Sequence, residues 1–229
     1  MLTPGKRSAT LIEPLWPETI DEAVALQERL RRQVLLADDF GPLRTVAGVD
    51  VGFEENGEVA RAAVVALDFE TLAPIAHALA RRPVAFPYVP GLLSFREAPA
   101  ILDALARLPA SPDLLICDGQ GIAHPRRFGI ACHLGLLSGL PAIGCAKSLL
   151  VGTHAPVPDA RGARTPLVHQ REQIGWVLRT RPGVKPVYVS PGHRVGLDSS
   201  VELTLRLVTR YRLPEPIRCA HNLASHGKL

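Results

Sequence analysis

Residues 45–82 read TVAGVDVGFEENGEVARAAVVALDFETLAPIAHALARR. Three strands can be drawn from this run, at 45–53, 58–69 and 73–82. Each is rich in Val and Ala and ends at a turn signal. Gly57 lies in the turn between the first two, and Glu70-Thr71 lies in a tight turn between the second and third. Strands this close in sequence pair as an antiparallel meander.

Outward from the meander the pattern changes. Upstream, residues 18–39 read as an amphipathic helix, with Thr19 and Glu22 placed as a capping box. Ile20, Val24, Leu30, Val34 and Leu35 would form its apolar stripe. Downstream, 97–108 reads as a helix, 113–118 as a short buried strand, 124–138 as a helix and 141–146 as a strand. That alternation implies parallel pairing. Strands at 172–179 and 185–190 and a helix over 198–210 complete the set. The Pro-, Gly- and Arg-rich stretch 153–166 reads as one exposed loop, and residues 211–229 carry little periodicity. No Gly-x-Gly-x-x-Gly follows the first strand, so a doubly wound nucleotide fold is not favoured. A meander followed by βα units in one sheet is the order of the ribonuclease H-like fold: a mixed α/β sheet flanked by helices. Nothing divides the chain, which reads as a single domain over 1–229.

Apolar residues make up 47% of the 229 residues and charged ones 21%, enough for a substantial core and against global disorder. No apolar run approaches the ~20 residues that span a bilayer. Met1 to Pro17 lacks a secretory pattern. A cytoplasmic monomer is therefore expected. Cys117, Cys132, Cys145 and Cys219 form no Cys-x-x-Cys pair and read as buried reduced thiols rather than zinc ligands. The net charge of +4 and pI of 9.1 suit nucleic acid as a partner without demanding it. Only Lys6, Lys147, Lys185 and Lys228 are lysines in an arginine background, which singles out the internal Lys147.

Two carboxylates stand where apolar strands end, Asp50 in Thr45–Phe53 and Asp118 in Leu114–Gly119. Burial of either is costly without a partner. In a ribonuclease H-like sheet the two strands are neighbours, which would bring the aspartates within about 5 Å. Hard oxygen ligands at that spacing suit Mg²⁺ or Mn²⁺ and phosphodiester hydrolysis. Taken singly, Asp50 also fits a turn or salt-bridged aspartate, and Asp118 before Gly119 fits an Asx turn. Glu97, opening the helix before the Asp118 strand, fits either a first-turn carboxylate favoured by the macrodipole or a third acidic group of the site. Lys147, at the end of 141–146, could stabilise a phosphate. His124, Arg126 and Arg127 are phosphate candidates, and His193-Arg194 a weaker one. His77, His154, His169 and His226 read as surface residues. Pro87-Tyr88-Val89-Pro90-Gly91 holds an aromatic between two prolines, either as a rigid inserting tip or as an ordinary extended loop.

Five stretches together resemble the endonuclease V family of deoxyinosine-directed nucleases. They are Val46–Phe53, Pro87–Glu97, Asp118–Arg126, Ile143–Lys147 and Tyr211–His221. They occur in the family's order, and the resemblance spans roughly 15–222. It implies Mg²⁺-dependent hydrolysis (Mn²⁺ substituting) of the second phosphodiester bond 3′ to the lesion in DNA, leaving 3′-hydroxyl and 5′-phosphate ends. Asp50 and Asp118 match the family's metal-binding aspartates. Glu97, Lys147 and His221 match its further catalytic residues, and Tyr88 its wedge. Leu93, Gly119, Ile130 and Leu150 match positions near the pocket for the extruded base, and Gly121 and His124 belong to the same DNA-binding set. One position departs: many bacterial members carry histidine where this chain has Gln120, and an amide does not titrate.

The alternatives are an inosine-specific ribonuclease, which hypoxanthine alone does not distinguish, and a non-catalytic binder of deaminated nucleic acid. Against the binder stands the intact set of Asp50, Glu97, Asp118 and Lys147. A small-metabolite phosphatase is a remoter option, since it would leave Tyr88 without purpose.

Overall fold

The computed structural model describes residues 16–227. The leader-free reading of 1–17 therefore falls almost wholly outside the described residues, as do the last two residues of the tail. Eight strands form one sheet: β1 (Thr45–Glu54), β2 (Val59–Asp68), β3 (Pro74–Pro83), β4 (Leu114–Cys117), β5 (Ala142–Ala146), β6 (Arg164–His169), β7 (Glu172–Leu178) and β8 (Val187–His193). Their order is β3-β2-β1-β4-β5-β8-β7-β6. The meander β1–β2–β3 is antiparallel, β4 runs parallel to both β1 and β5, and β8, β7 and β6 continue antiparallel. This is the mixed sheet of the ribonuclease H-like fold.

The helices are α1 (Ile20–Leu30), α2 (Leu93–Leu105), α3 (Ile130–Ser138), α4 (Leu197–Arg206) and α5 (Glu215–His226). Strand alternation sorts the core into two layers. Val46, Leu114 and Ile116 pack with Val201 of α4 and Ile217 and Leu223 of α5. Ala47, Val49, Leu115 and Cys117 pack with Ala98 and Ile101 of α2 and Leu134 of α3. Buried on both faces, β4 is apolar throughout, as a central parallel strand must be. Among the described residues no helix is long and apolar enough to cross a membrane. Cys117, Cys132 and Cys145 are buried and Cys219 half-buried, all as free thiols.

Several boundaries differ from the sequence expectation. The Thr19–Glu22 capping box forms, but α1 ends at Leu30 and one 3-10 turn follows. Its buried face is Ala23, Gln27 and Leu30, whereas Ile20 and Leu35 are exposed. The helix expected over 124–138 starts only at Ile130, because residues 118–129 are occupied in a loop tied to β8 and α1. Residues 164–166, expected in a loop, begin the edge strand β6. Pro166 is tolerated there because an edge strand needs a partner on one side only. The tail expected to lack periodicity forms α5, with Pro216 in its first turn, where a missing N–H costs nothing.

Candidate active site

The site begins with a clamp at the other end of two strands. Asp113 Oδ2 accepts hydrogen bonds from the Arg44 and Thr45 backbone N–H groups and from Thr45 Oγ1, at 2.9–3.0 Å. The Asp113 N–H donates back to Thr45 Oγ1 at 3.1 Å. This reciprocal set pins the start of β1 against the start of β4. The register runs from Val46 opposite Leu114 to Val49 opposite Cys117. Asp50 and Asp118 are the next residues on each strand, so the neighbouring strands bring the two carboxylates to the same end of the sheet. Side-chain alternation turns both toward the layer that contains α5.

Helix α5 lies directly over β1. A Cβ at Gly48 would sit 2.0 Å from the Pro216 carbonyl oxygen, and one at Gly52 would sit 3.2 Å from that of Ala224. Glycine two residues either side of Asp50 therefore lets the helix descend onto the strand. It carries His221 to Asp50, with Nδ1 2.8 Å from Oδ2. Lys147, just past β5, places Nζ 2.5 Å from Asp118 Oδ2.

Glu97 sits in the second turn of α2, not at its start, because the helix begins at Leu93. The macrodipole explanation for it is thereby weakened, since that effect fades beyond the first turn. Burial, reinforced by the negative charges of Asp50 and Asp118, pushes its carboxyl up to about 8. Burial also raises Asp118, against the opposing pull of Lys147. Three acids therefore share one end of the sheet, and their mutual repulsion is what a bound cation would relieve. Among the described residues no three His, Cys, Asp or Glu side chains are gathered as a ready cation cage. Mg²⁺ does not require one: one or two carboxylates with water and substrate phosphate suffice. Asp50 and Asp118 fit that donor set.

Beside this cluster lies a cavity of about 370 Å³ whose lining includes Tyr88, Leu93, Gly119, Ile130 and Leu150, together with Asp118 and Lys147. Cluster and cavity thus share two side chains. Tyr88 is 70% exposed. Gln120 lines the cavity as well and donates from Nε2 to the Ser148 carbonyl at 3.1 Å, tying the glycine loop to the segment after Lys147. Gly121 does not line it. It is buried where a Cβ would meet the Pro191 carbonyl oxygen at 2.0 Å, so its role is close packing of the loop.

The remaining basic candidates are engaged inside the protein. His124 also lines the cavity; it is buried and bonds through Nε2 to the Gly91 carbonyl at 2.9 Å, and burial lowers it to about 4, so it is neutral. Arg126 donates to Gln27 and Gly91. Arg127 binds Glu172, His169 and the His124 carbonyl. His193 and Arg194 lie at the far end of β8, bonded to the Leu35 N–H and to Asp39. Sequence reading overlooked Ser94, a buried cavity-lining residue whose Oγ is held 3.0 Å from Nδ1 of buried His133. Nothing but its place beside Leu93 signalled it.

A family model described as Endonuclease V matches residues 28–222. The chain belongs to the endonuclease V family. Its members are nucleases, and the chain is an enzyme of that kind. Endonuclease V of Roseiflexus castenholzii is 61% identical over 214 residues, covering 93% of this chain and 96% of the relative. The crystal structure of Endonuclease V from Streptomyces avermitilis superposes with a TM-score of 0.88 at 48% identity, covering 93% and 94% of the two chains. Endonuclease V of Ciona intestinalis, solved with a 24mer DNA containing an inosine followed by a ribo-adenosine, matches with a TM-score of 0.80 at 28% identity. That match covers 91% of this chain and 97% of the Ciona chain.

Proposed function

We propose that this protein recognises deoxyinosine in DNA and, with Mg²⁺, hydrolyses the second phosphodiester bond 3′ to it, leaving 3′-hydroxyl and 5′-phosphate ends. Such an activity would serve repair of deaminated adenine. The observation that carries the reading is the register that sets Asp50 beside Asp118, next to a cavity edged by exposed Tyr88. The inosine-containing DNA bound by the Ciona relative supports the substrate class.

Asp50 and Asp118 would hold the cation, which supplies polarisation of the scissile phosphate and of the attacking water. The Lys147 ammonium, paired with Asp118 at the edge of the cavity, would stabilise negative charge on the phosphate oxygens. His221 is oriented through Nδ1 by Asp50 and keeps Nε2 for the phosphate or the leaving oxygen. Burial first, and the charges of Asp50 and Asp118 second, hold the Glu97 proton in place. With a cation held by Asp50 and Asp118, Glu97 would ionise more easily, and its carboxylate would then serve as a general base toward water. Tyr88 fills the gap left by the base, and the cavity takes hypoxanthine, whose weak pairing makes extrusion cheaper.

A nicking assay on a duplex with one deoxyinosine, with the cut position mapped, tests this. Asp50→Ala and Asp118→Ala should each lose all nicking with Mg²⁺ while remaining folded by circular dichroism. Full activity in either variant removes the two-aspartate mechanism. The second reading is cleavage of inosine-containing RNA. It is favoured by the ribo-adenosine that follows inosine in the Ciona complex. Matched DNA and RNA strands carrying one inosine separate the two, because discrimination rests on the 2′-hydroxyl.

A further inference from the structure

The buried face of α1 has an amide at its centre. Gln27 is fully buried between Ala23 and Leu30. Such a group costs stability unless its donors and acceptor are matched. Gln27 Nε2 donates to the Gly91 carbonyl at 3.0 Å and to the Phe128 carbonyl at 3.2 Å, and Oε1 accepts from Arg126 Nε at 2.5 Å.

Gly91 ends the Pro87–Gly91 segment that carries Tyr88, and it adopts φ +80°. Its carbonyl also accepts from His124 Nε2 at 2.9 Å and Arg126 Nη2 at 2.8 Å. His124 Nδ1 accepts from the Arg126 N–H at 3.2 Å, so Nε2 is the protonated nitrogen. Three donors converge on one carbonyl at the root of the tyrosine tip. Phe128 belongs to the cavity wall. Among the described residues, Gln27 is thus the side chain that bonds both the Gly91 carbonyl at the root of the tip and the Phe128 carbonyl. It comes from a helix that none of the five family-like stretches includes, one residue before the family match begins.

We infer that Gln27 is a positioning residue for lesion recognition, holding Gly91 and Phe128 so that Tyr88 stands ready beside the cavity. The inference rests on the reading of Tyr88 as the wedge. An aromatic tip contributes to binding in proportion to how little it must be ordered on contact. A methionine would fill the apolar stripe of α1 equally well; an amide is needed because two carbonyls from separate loops and the Arg126 guanidinium must be matched at once.

The test is a double-mutant cycle of Gln27→Met with Tyr88→Ala, read as Kd for a deoxyinosine duplex and as KM and kcat for nicking. Gln27→Met should weaken binding on the order of ten-fold, since it removes the donors to both carbonyls and the acceptor for Arg126. The effect should fall on KM more than on kcat. In the double variant the two losses should not add, because both act through the same tip. A Gln27 that only holds α1 in place would give additive losses or an unchanged KM, and either overturns the inference. Should Gln27→Met not fold, Gln27→Glu keeps the acceptor for Arg126, loses both donors and enters the same cycle. If the wild-type protein leaves the deoxyinosine duplex uncut, the proposed function fails and the inference with it. If the wild type cuts and Tyr88→Ala weakens binding while Gln27→Met does not, the inference alone fails.

Discussion

At the scale of single residues, burial sets the charge state of the titratable groups. His133 is boxed by Trp16, Phe95 and Phe128, with ring centroids 5.0–5.6 Å away. Burial lowers it from 6.5 to about 3. The folded state therefore keeps His133 neutral, while the unfolded chain takes up a proton as soon as pH falls below 6.5. Its contribution is intact above that value and is lost as pH drops toward 3, at about 1.4 kcal/mol per pH unit. Thermal melts of His133→Gln should fall less steeply between pH 6.5 and 4.5 than those of the wild type. Parallel curves would show that His133 is not the buried neutral group. The same physics makes His124 a neutral donor inside the protein, although its place in an Asp-Gly-x-Gly stretch rich in arginine suggested a phosphate contact. A sequence shows that a histidine is near a site; only packing shows whether it is charged.

At the scale of elements, the site depends on how closely α5 lies on β1. Gly48→Ala would put a methyl group 2.0 Å from the Pro216 carbonyl oxygen, a contact that backbone must move to relieve. Helix α5 would lift, and His221 would leave Asp50. The expected result is a loss of nicking of at least ~100-fold, as for misplaced catalytic groups. A drop in melting temperature should accompany it. Wild-type activity in Gly48→Ala would mean that α5 does not position His221. Elements differ in how plainly the sequence announces them. The meander was legible because long Val- and Ala-rich runs end in strong turn signals. Helix α5 was missed although its buried residues Pro216, Ile217, Ala220, Leu223 and Ala224 fall at helical spacing, because Pro214 at its N-cap and Pro216 in its first turn read as breakers. Strand β6 was hidden by Pro166 and by the loop composition just before it.

At the scale of the whole molecule, the acidic cluster and the cavity adjoin at one sheet end, linked by Asp118 and Lys147 in the cavity lining. Two different perturbations should separate them. Tyr88→Ala should raise Kd for a deoxyinosine duplex on the order of ten-fold, the value of one lost aromatic stack. Titration calorimetry should show its divalent-cation affinity unchanged, because Asp50 and Asp118 are held by other contacts. Chelation of divalent cations should do the reverse, stopping nicking while a gel-shift assay still detects duplex binding. If chelation left nicking intact, the cation would have no part in the chemistry.

The sequence by itself determined the strand order of the meander, the parallel pairing around β4 and the identity of the residues at its end. Local periodicity, turn chemistry and motif order are written in neighbouring residues. Tertiary structure decided which groups meet. Asp50 reaches Asp118 because Thr45 and Asp113 lock the register five residues earlier. His221 reaches Asp50 because two glycines admit a helix from the far end of the chain. Arg126, Arg127 and His124 turn inward because Gln27, Glu172 and Gly91 take up their donors. These are contacts between segments far apart in sequence. Their energies depend on burial and distance in three dimensions, which no single stretch of the chain encodes.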